Sequence, residues 1–95
     1  MRRIEKSAEF RRSQKCIERS GRYTKAMKER FAPALIDLAN DIPLDYSYYD
    51  HALHQNWEGF RECHIKPDLL LVYAYVGDDV LRLERLGSHS EIFGL

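Results

Sequence analysis

Three separate stretches of this chain carry histidine beside groups that can share its proton or stabilise charge. They are Asp50-His51, then Arg61-Glu62-Cys63-His64-Ile65-Lys66-Pro67-Asp68, then Arg85-Leu86-Gly87-Ser88-His89. Histidine is the side chain that takes or gives a proton near neutral pH. Brought together, these stretches would make a proton-transfer site with a cation beside it. Such a site suits cleavage of a phosphodiester. One group removes the proton of the attacking hydroxyl, one protonates the departing oxygen, and a cation meets the charge on the phosphorane.

Metal binding is the competing chemistry. His51-x2-His54 with Cys63 and His64 offers enough ligands on paper, three imidazoles and one thiol. Structural zinc sites, however, use paired Cys or Cys/His spacings that lock geometry. Cys63 and His64 are neighbours on an expected strand and so point to opposite faces. No metal and no other cofactor is therefore expected.

The elements that must position these groups are legible in outline. Ser7 is placed to cap a first helix, with Phe10, Gln14 and Ile17 on one face and Ser20-Gly21 as its stop. A second helix is expected with Tyr23, Met27, Phe31, Leu35 and Leu38 at helical spacing. Pro33 lies inside that pattern and should kink or split the helix near Phe31. After Asn40-Asp41-Ile42-Pro43, residues 44–50 read as a loop. The second half then reads as a β-meander, with strands at 59–66, 69–76 and 80–86. Pro67-Asp68 and Gly77-Asp78-Asp79 make its turns. Ser88 or Ser90 could cap a short last helix, and residues 3–6 could add an edge strand. The expected fold is α/β in the α+β sense: a small antiparallel sheet, two helices on one face and the other face open.

Strand alternation tests the placement of the chemistry. Phe60, Glu62 and His64 share one face, and Arg61, Cys63 and Ile65 the other. The second set contains Cys63 and is the more apolar, so it should face the helices. Glu62 and His64 are then left where substrate can reach them, with Asp68 just past the turn. Arg85 shares a face with Leu81 and Leu83, which points it into apolar surroundings unless a bulge re-aims it.

Composition bounds the rest. The chain has 95 residues, enough for one domain over residues 1–95 that buries about 60–65% of its unfolded surface. No apolar run reaches the roughly 18 residues of a membrane span, and the first residues lack the apolar stretch of a secretory signal. With only Cys16 and Cys63, a reducing cytoplasm is expected. The formal net charge is +0, yet residues 1–30 hold eleven Lys+Arg against four Asp+Glu, and residues 31–95 the reverse, four against eleven. A basic segment of that density is a nucleic-acid footprint, or else the solvated surface of two helices.

The run His51-Ala52-Leu53…Trp57-Glu58-Gly59-Phe60-Arg61-Glu62-Cys63-His64-Ile65-Lys66-Pro67-Asp68 is specific. So are the pieces that follow it: Leu71-Val72-Tyr73, Leu81-Arg82-Leu83-Glu84-Arg85, Gly87-Ser88-His89-Ser90 and Ile92-Phe93. Together they resemble the YafQ branch of the RelE-type toxins, endoribonucleases of type II toxin–antitoxin systems. The resemblance covers roughly residues 50–94; the first half matches in layout only. It implies a microbial-ribonuclease-like fold and metal-independent cleavage of messenger RNA on the ribosome. It also implies a cognate antitoxin as partner, with the free toxin a monomer. The family's catalytic set falls on His51, His64, Asp68, Arg85 and His89, with Phe93 as a base-stacking platform. His54 receives no role. On that footing His89 is expected as general acid and Asp68 or His51 as base. His64 supports them and Arg85 faces the phosphorane. Arg11, Arg12, Lys15, Arg19 and Arg22 are expected to dock on ribosomal RNA. The alternative is a non-catalytic RNA- or protein-binding module on the same fold.

Overall fold

The computed structural model describes residues 1–22 and 24–94. Tyr23, which helical spacing adds to the second helix, lies outside them. In chain order the elements are β1 (Arg3–Lys6), α1 (Ala8–Arg19), α2 (Lys25–Ala39), β2 (His51–Ala52), β3 (Arg61–Lys66), β4 (Leu69–Val76), β5 (Val80–Gly87) and α3 (His89–Phe93). Short 3₁₀ turns at Tyr46–Tyr48 and Gln55–Trp57 flank β2. The sheet order is β1-β5-β4-β3-β2.

Both long helices start on a hydroxyl cap. Ser7 accepts from the Phe10 amide and Thr24 from the Met27 amide, each satisfying a donor that a helix start leaves free. Their buried side chains, Phe10, Ile17, Met27, Phe31, Ala34 and Leu38, form one cluster with inward residues of β3, β4 and β5. The helices thus cover one face of the sheet, as expected.

Three expectations are corrected. Pro33 does not split α2, which runs unbroken from Lys25 to Ala39. Its ring is on the exposed side, where the carbonyl left without a donor can turn to water. The sheet is mixed rather than antiparallel, because β1 pairs with β5 in parallel, Arg3 opposite Val80 and Lys6 opposite Leu83. The second face is only partly open. Leu70 and Val72 on it are fully buried outside the helix-side cluster.

The Arg85 conflict is resolved by a bulge. Val72 pairs with Arg85, but the next residue, Tyr73, pairs with Leu83, so Glu84 is an extra residue in β5. Leu81 and Leu83 face the helices; past Glu84 the alternation flips, and Leu86 faces them instead. Arg85 is thereby turned to the other face. Ser7 steadies the kink: its hydroxyl donates to the Glu84 carbonyl at 2.7 Å and its amide to the Leu83 carbonyl at 2.9 Å.

Candidate active site

The cross-strand register lines up one row on the second face. His51 lies opposite Glu62, Glu62 opposite Val72, and Val72 opposite Arg85. His64 lies on the same face, two residues along β3 from Glu62. Cys63 between them is fully buried on the helix side, and burial pushes its thiol up to about 12. The metal set considered from sequence, with Cys63 and His54, is therefore not assembled.

β2 is two residues long and is held from both ends. Asp50, just before it, accepts from the Tyr73 hydroxyl at 2.6 Å and pairs with Arg61 at 3.4 Å. His51 then has both ring nitrogens engaged. Nδ1 is 2.7 Å from the Tyr49 carbonyl, and Nε2 is 3.0 Å from Glu62 Oε2. A carbonyl only accepts, so Nδ1 carries a hydrogen; the Glu62 contact likewise needs a proton between Nε2 and the carboxylate, which makes Nε2 the nitrogen that exchanges one.

His89 is fixed by a different device. Ser88 and Glu91 form a reciprocal capping box, the Glu91 amide donating to the Ser88 hydroxyl and the Ser88 amide to Glu91 Oε1. Arg22 reaches across to Glu91 at 3.2 Å. Asp68 Oδ1 accepts from both the His89 amide, 3.1 Å, and His89 Nδ1, 2.9 Å. Those two hydrogen bonds hold the Asp68 carboxyl below its ordinary value. They leave His89 Nε2 facing Glu62 Oε1 at 3.8 Å.

Glu62 is thus the hub. It is only 4% exposed, and Oε1 has no hydrogen-bond partner. Burial of an acceptor without a partner is costly, so this oxygen is held where a proton or a cation can use it. The His64 ring stands between the other two, its centroid 6.3 Å from His51 and 5.8 Å from His89. One ligand atom each of Glu62, His64 and His89 lies within 4.8 Å of the others. One carboxylate with two imidazoles is a donor set that suits copper or zinc.

At the other side, the Arg85 guanidinium sits over the Trp57 ring at 5.7 Å, with its buried Nε unpartnered. Trp57 meets the Phe93 ring edge-on at 5.6 Å, and Phe93 is 6.4 Å from His89. All the expected residues except the basic set therefore fall on one side of the sheet. His54, exposed in the loop, does not join them.

Strand alternation puts Glu62 on this face, but its part in the site shows only in the pairing opposite His51, which needs the register. Trp57 likewise joins the site only through its contacts with Arg85 and Phe93. In the basic set, Arg12 pairs with Glu9 at 3.6 Å, and Arg22 is committed to Glu91. Arg11 and Lys15 line a groove of about 800 Å³ with Lys6, Glu18 and Arg82.

A helix-backed sheet with imidazoles and carboxylates gathered on its far face is what the toxin resemblance implies. The class follows from a family model described as "Bacterial toxin of type II toxin-antitoxin system, YafQ", which matches residues 2–94. The chain belongs to this YafQ family. It is 36% identical over 91 residues to the mRNA interferase toxin YafQ of Escherichia coli BL21-DE3, covering 96% of this chain and 95% of that protein. The structure of a metal-bound toxin from Helicobacter pylori matches with a TM-score of 0.85 at 40% identity, covering 98% of this chain and 100% of that one. YafQ within the E. coli DinJ-YafQ toxin–antitoxin complex matches with a TM-score of 0.81 at 33% identity, covering 98% of each chain.

Proposed function

We propose that this chain, folded as one domain over residues 1–95, is a cytoplasmic endoribonuclease that cuts messenger RNA on the ribosome. It is a monomer when free and is restrained by a cognate antitoxin. The observation that carries the reading is Glu62, a buried carboxylate set between the reactive nitrogens of His51 and His89. The relatives named as mRNA interferase and as a toxin–antitoxin complex support the activity and the partner.

The geometry supports the following steps. Asp68 already accepts twice from His89, so it orients that ring and the base falls to His51. The Tyr49 carbonyl fixes the His51 tautomer. Once the proton it shares with Glu62 has left to solvent, Nε2 takes the proton of the ribose 2′-hydroxyl, and Glu62 meets the positive charge the ring gains. The 2′-oxygen attacks phosphorus, the phosphorane charge is met by Arg85, and His89 Nε2 protonates the departing 5′-oxygen. A 2′,3′-cyclic phosphate remains. His64, in contact with both rings, holds their spacing.

No step in this scheme uses a metal. Glu62, His64 and His89 could nevertheless hold an ion; bound there it would be a Lewis acid toward a phosphoryl oxygen and would occupy the imidazoles that move protons. The exposed Arg11, Lys15 and Arg19, with Arg12, supply the charge for docking on ribosomal RNA. Arg22 serves α3 as well.

The test compares wild type with His89→Ala on programmed ribosomes. Wild type yields messenger-RNA fragments ending in 2′,3′-cyclic phosphate. The folded variant loses about 10²–10⁴ in rate, the usual worth of a general acid. Ribosome binding without cleavage by wild type would replace this reading with that of a binding module.

A further inference from the structure

We propose that the groove beside His64 is a nucleobase subsite, with Tyr49 as its stacking wall. Its occupant is the base next to the cleaved phosphodiester on the side away from Phe93. The proposal rests on the RNA-cleavage reading above and adds a residue that recognises the substrate.

Tyr49 is the first observation. The residue is 69% exposed, although it stands against the candidate site. It lies 5.3 Å from the His51 ring and 5.4 Å from the His64 ring, edge-on to the latter at 87°. Its backbone is left-handed, φ 52° and ψ 44°, a conformation that a bulky side chain adopts only when its surroundings enforce it. Here two bonds do so. The Tyr49 amide donates to the Tyr46 carbonyl at 2.9 Å, and the Tyr49 carbonyl takes His51 Nδ1. The same peptide that sets the His51 tautomer therefore aims an exposed aromatic ring.

The groove is the second. It has a volume of about 340 Å³, and Tyr49 and Pro67 give it apolar sides, while the Ile65 side chain is buried behind it in the core. His64 also lines it, so it adjoins the imidazole row, and Lys66 lines it too. Arg30 also lines it but is committed elsewhere: Nε donates to the Ile65 carbonyl at 2.8 Å and an Nη to the His64 carbonyl at 3.2 Å. The groove offers a flat aromatic wall, the apolar Pro67 ring and one ammonium. A base lies its π-face on the first, and a flanking phosphate meets the last.

Position completes the argument. The rings run His51, His64, His89. Phe93 is beside His89 at one end, and Tyr49 beside His51 and His64 at the other. RNA with its cleaved phosphate over the imidazoles has one base on each side, and each meets an aromatic ring.

The test is a cycle between protein and substrate. Programmed ribosomes carry messenger RNA with an abasic nucleotide placed in turn on each side of the cleaved bond. Cleavage is read at single turnover for wild type, Tyr49→Asn and Tyr49→Phe. Asparagine tolerates the left-handed backbone and removes the ring; phenylalanine keeps it. One abasic position should slow wild type and Tyr49→Phe roughly 5- to 150-fold, the worth of one base stack. It should slow Tyr49→Asn no further, while the other abasic position slows all three alike. The proposal is overturned if Tyr49→Asn responds to both positions as wild type does. It is also overturned if Tyr49→Asn only shifts the pH–rate profile, which would make Tyr49 packing for the histidines, or changes only affinity for an antitoxin. If wild type cuts no RNA, the parent reading fails first, in the control arm, and the subsite falls with it.

Discussion

Glu62 Oε2 lies 3.0 Å from His51 Nε2, across the sheet on a two-residue strand. A buried carboxylate so placed can hold the ring, meet its charge, or do both. Glu62→Gln keeps the shape and removes the charge. We expect single-turnover cleavage to fall by about 10²–10⁴, the range of an acid–base partner, with ribosome binding and the thermal melt retained. Near-wild-type cleavage would remove Glu62 from the mechanism.

The Asp68–His89 contact should be robust to mild acid. Hydrogen bonds from His89 hold the Asp68 carboxyl below its ordinary value of 3.8. A group lowered on folding contributes above its unfolded value, and the contribution is lost as pH falls through the folded value. The contact should therefore persist as pH falls from neutrality to the ordinary carboxylate range. Carbon NMR of the Asp68 carboxyl, followed against pH in wild type and His89→Ala, checks this. Identical Asp68 titrations would show that the His89 ring does not engage the carboxyl.

Added copper or zinc should inhibit. An ion taken by Glu62, His64 and His89 occupies nitrogens needed for proton transfer. We expect a chelator to leave the metal-free protein fully active and to restore the inhibited one. Activity lost to chelator and regained with metal would reverse the assignment. His64→Ala should weaken the ion's binding, measured by calorimetry.

Ser7 ties α1 to the bulge that aims Arg85. Ser7→Ala deletes a helix cap, about 0.5–2 kcal/mol, and leaves the Glu84 carbonyl unpaired, about 1–3 kcal/mol. We expect a destabilisation within the sum of those ranges in urea unfolding, and a cleavage rate lower than for an equally destabilised variant of the α2 core. Equal rates would mean that the bulge holds its shape without Ser7.

Reversal of Arg11 and Arg12 to Glu should weaken ribosome binding and its salt dependence together. Every phosphate that the protein no longer neutralises flattens the log–log salt slope by about 0.7–0.9. The Arg12–Glu9 pair is exposed, so its removal changes stability little. An unchanged slope in ribosome-binding titrations would show that these charges only solvate α1.

The sequence carried the strands and their faces well, because Cys63 and Ile65 alternate cleanly with Glu62 and His64. The cap at Ser7 is equally plain, being local chemistry; for the last helix Ser88 and Ser90 both fit, and the capping box at Ser88 decides between them. What it did not carry depends on partners distant in the chain. The direction of β1 is set by its fit along β5, some 77 residues away by the Arg3–Val80 pairing. The strand at His51 exists only through β3. The hub role of Glu62 needs His51 and His89 in register at once. Pro33 misled because the rule against helix-interior proline weakens on an exposed face.

The extra residue in β5 has a consequence for how this chain can vary. Glu84 occupies a step in the ladder without pairing across it, and its carboxylate only meets Arg82 at the surface. Most side chains could stand at position 84, and deleting the residue would close the ladder with Leu83 still opposite Tyr73 and Arg85 still opposite Val72, losing the carbonyl that Ser7 holds. The hazard is a slip that pairs Glu84 across the ladder: Arg85 would then swing into the core and Leu86 would swing out.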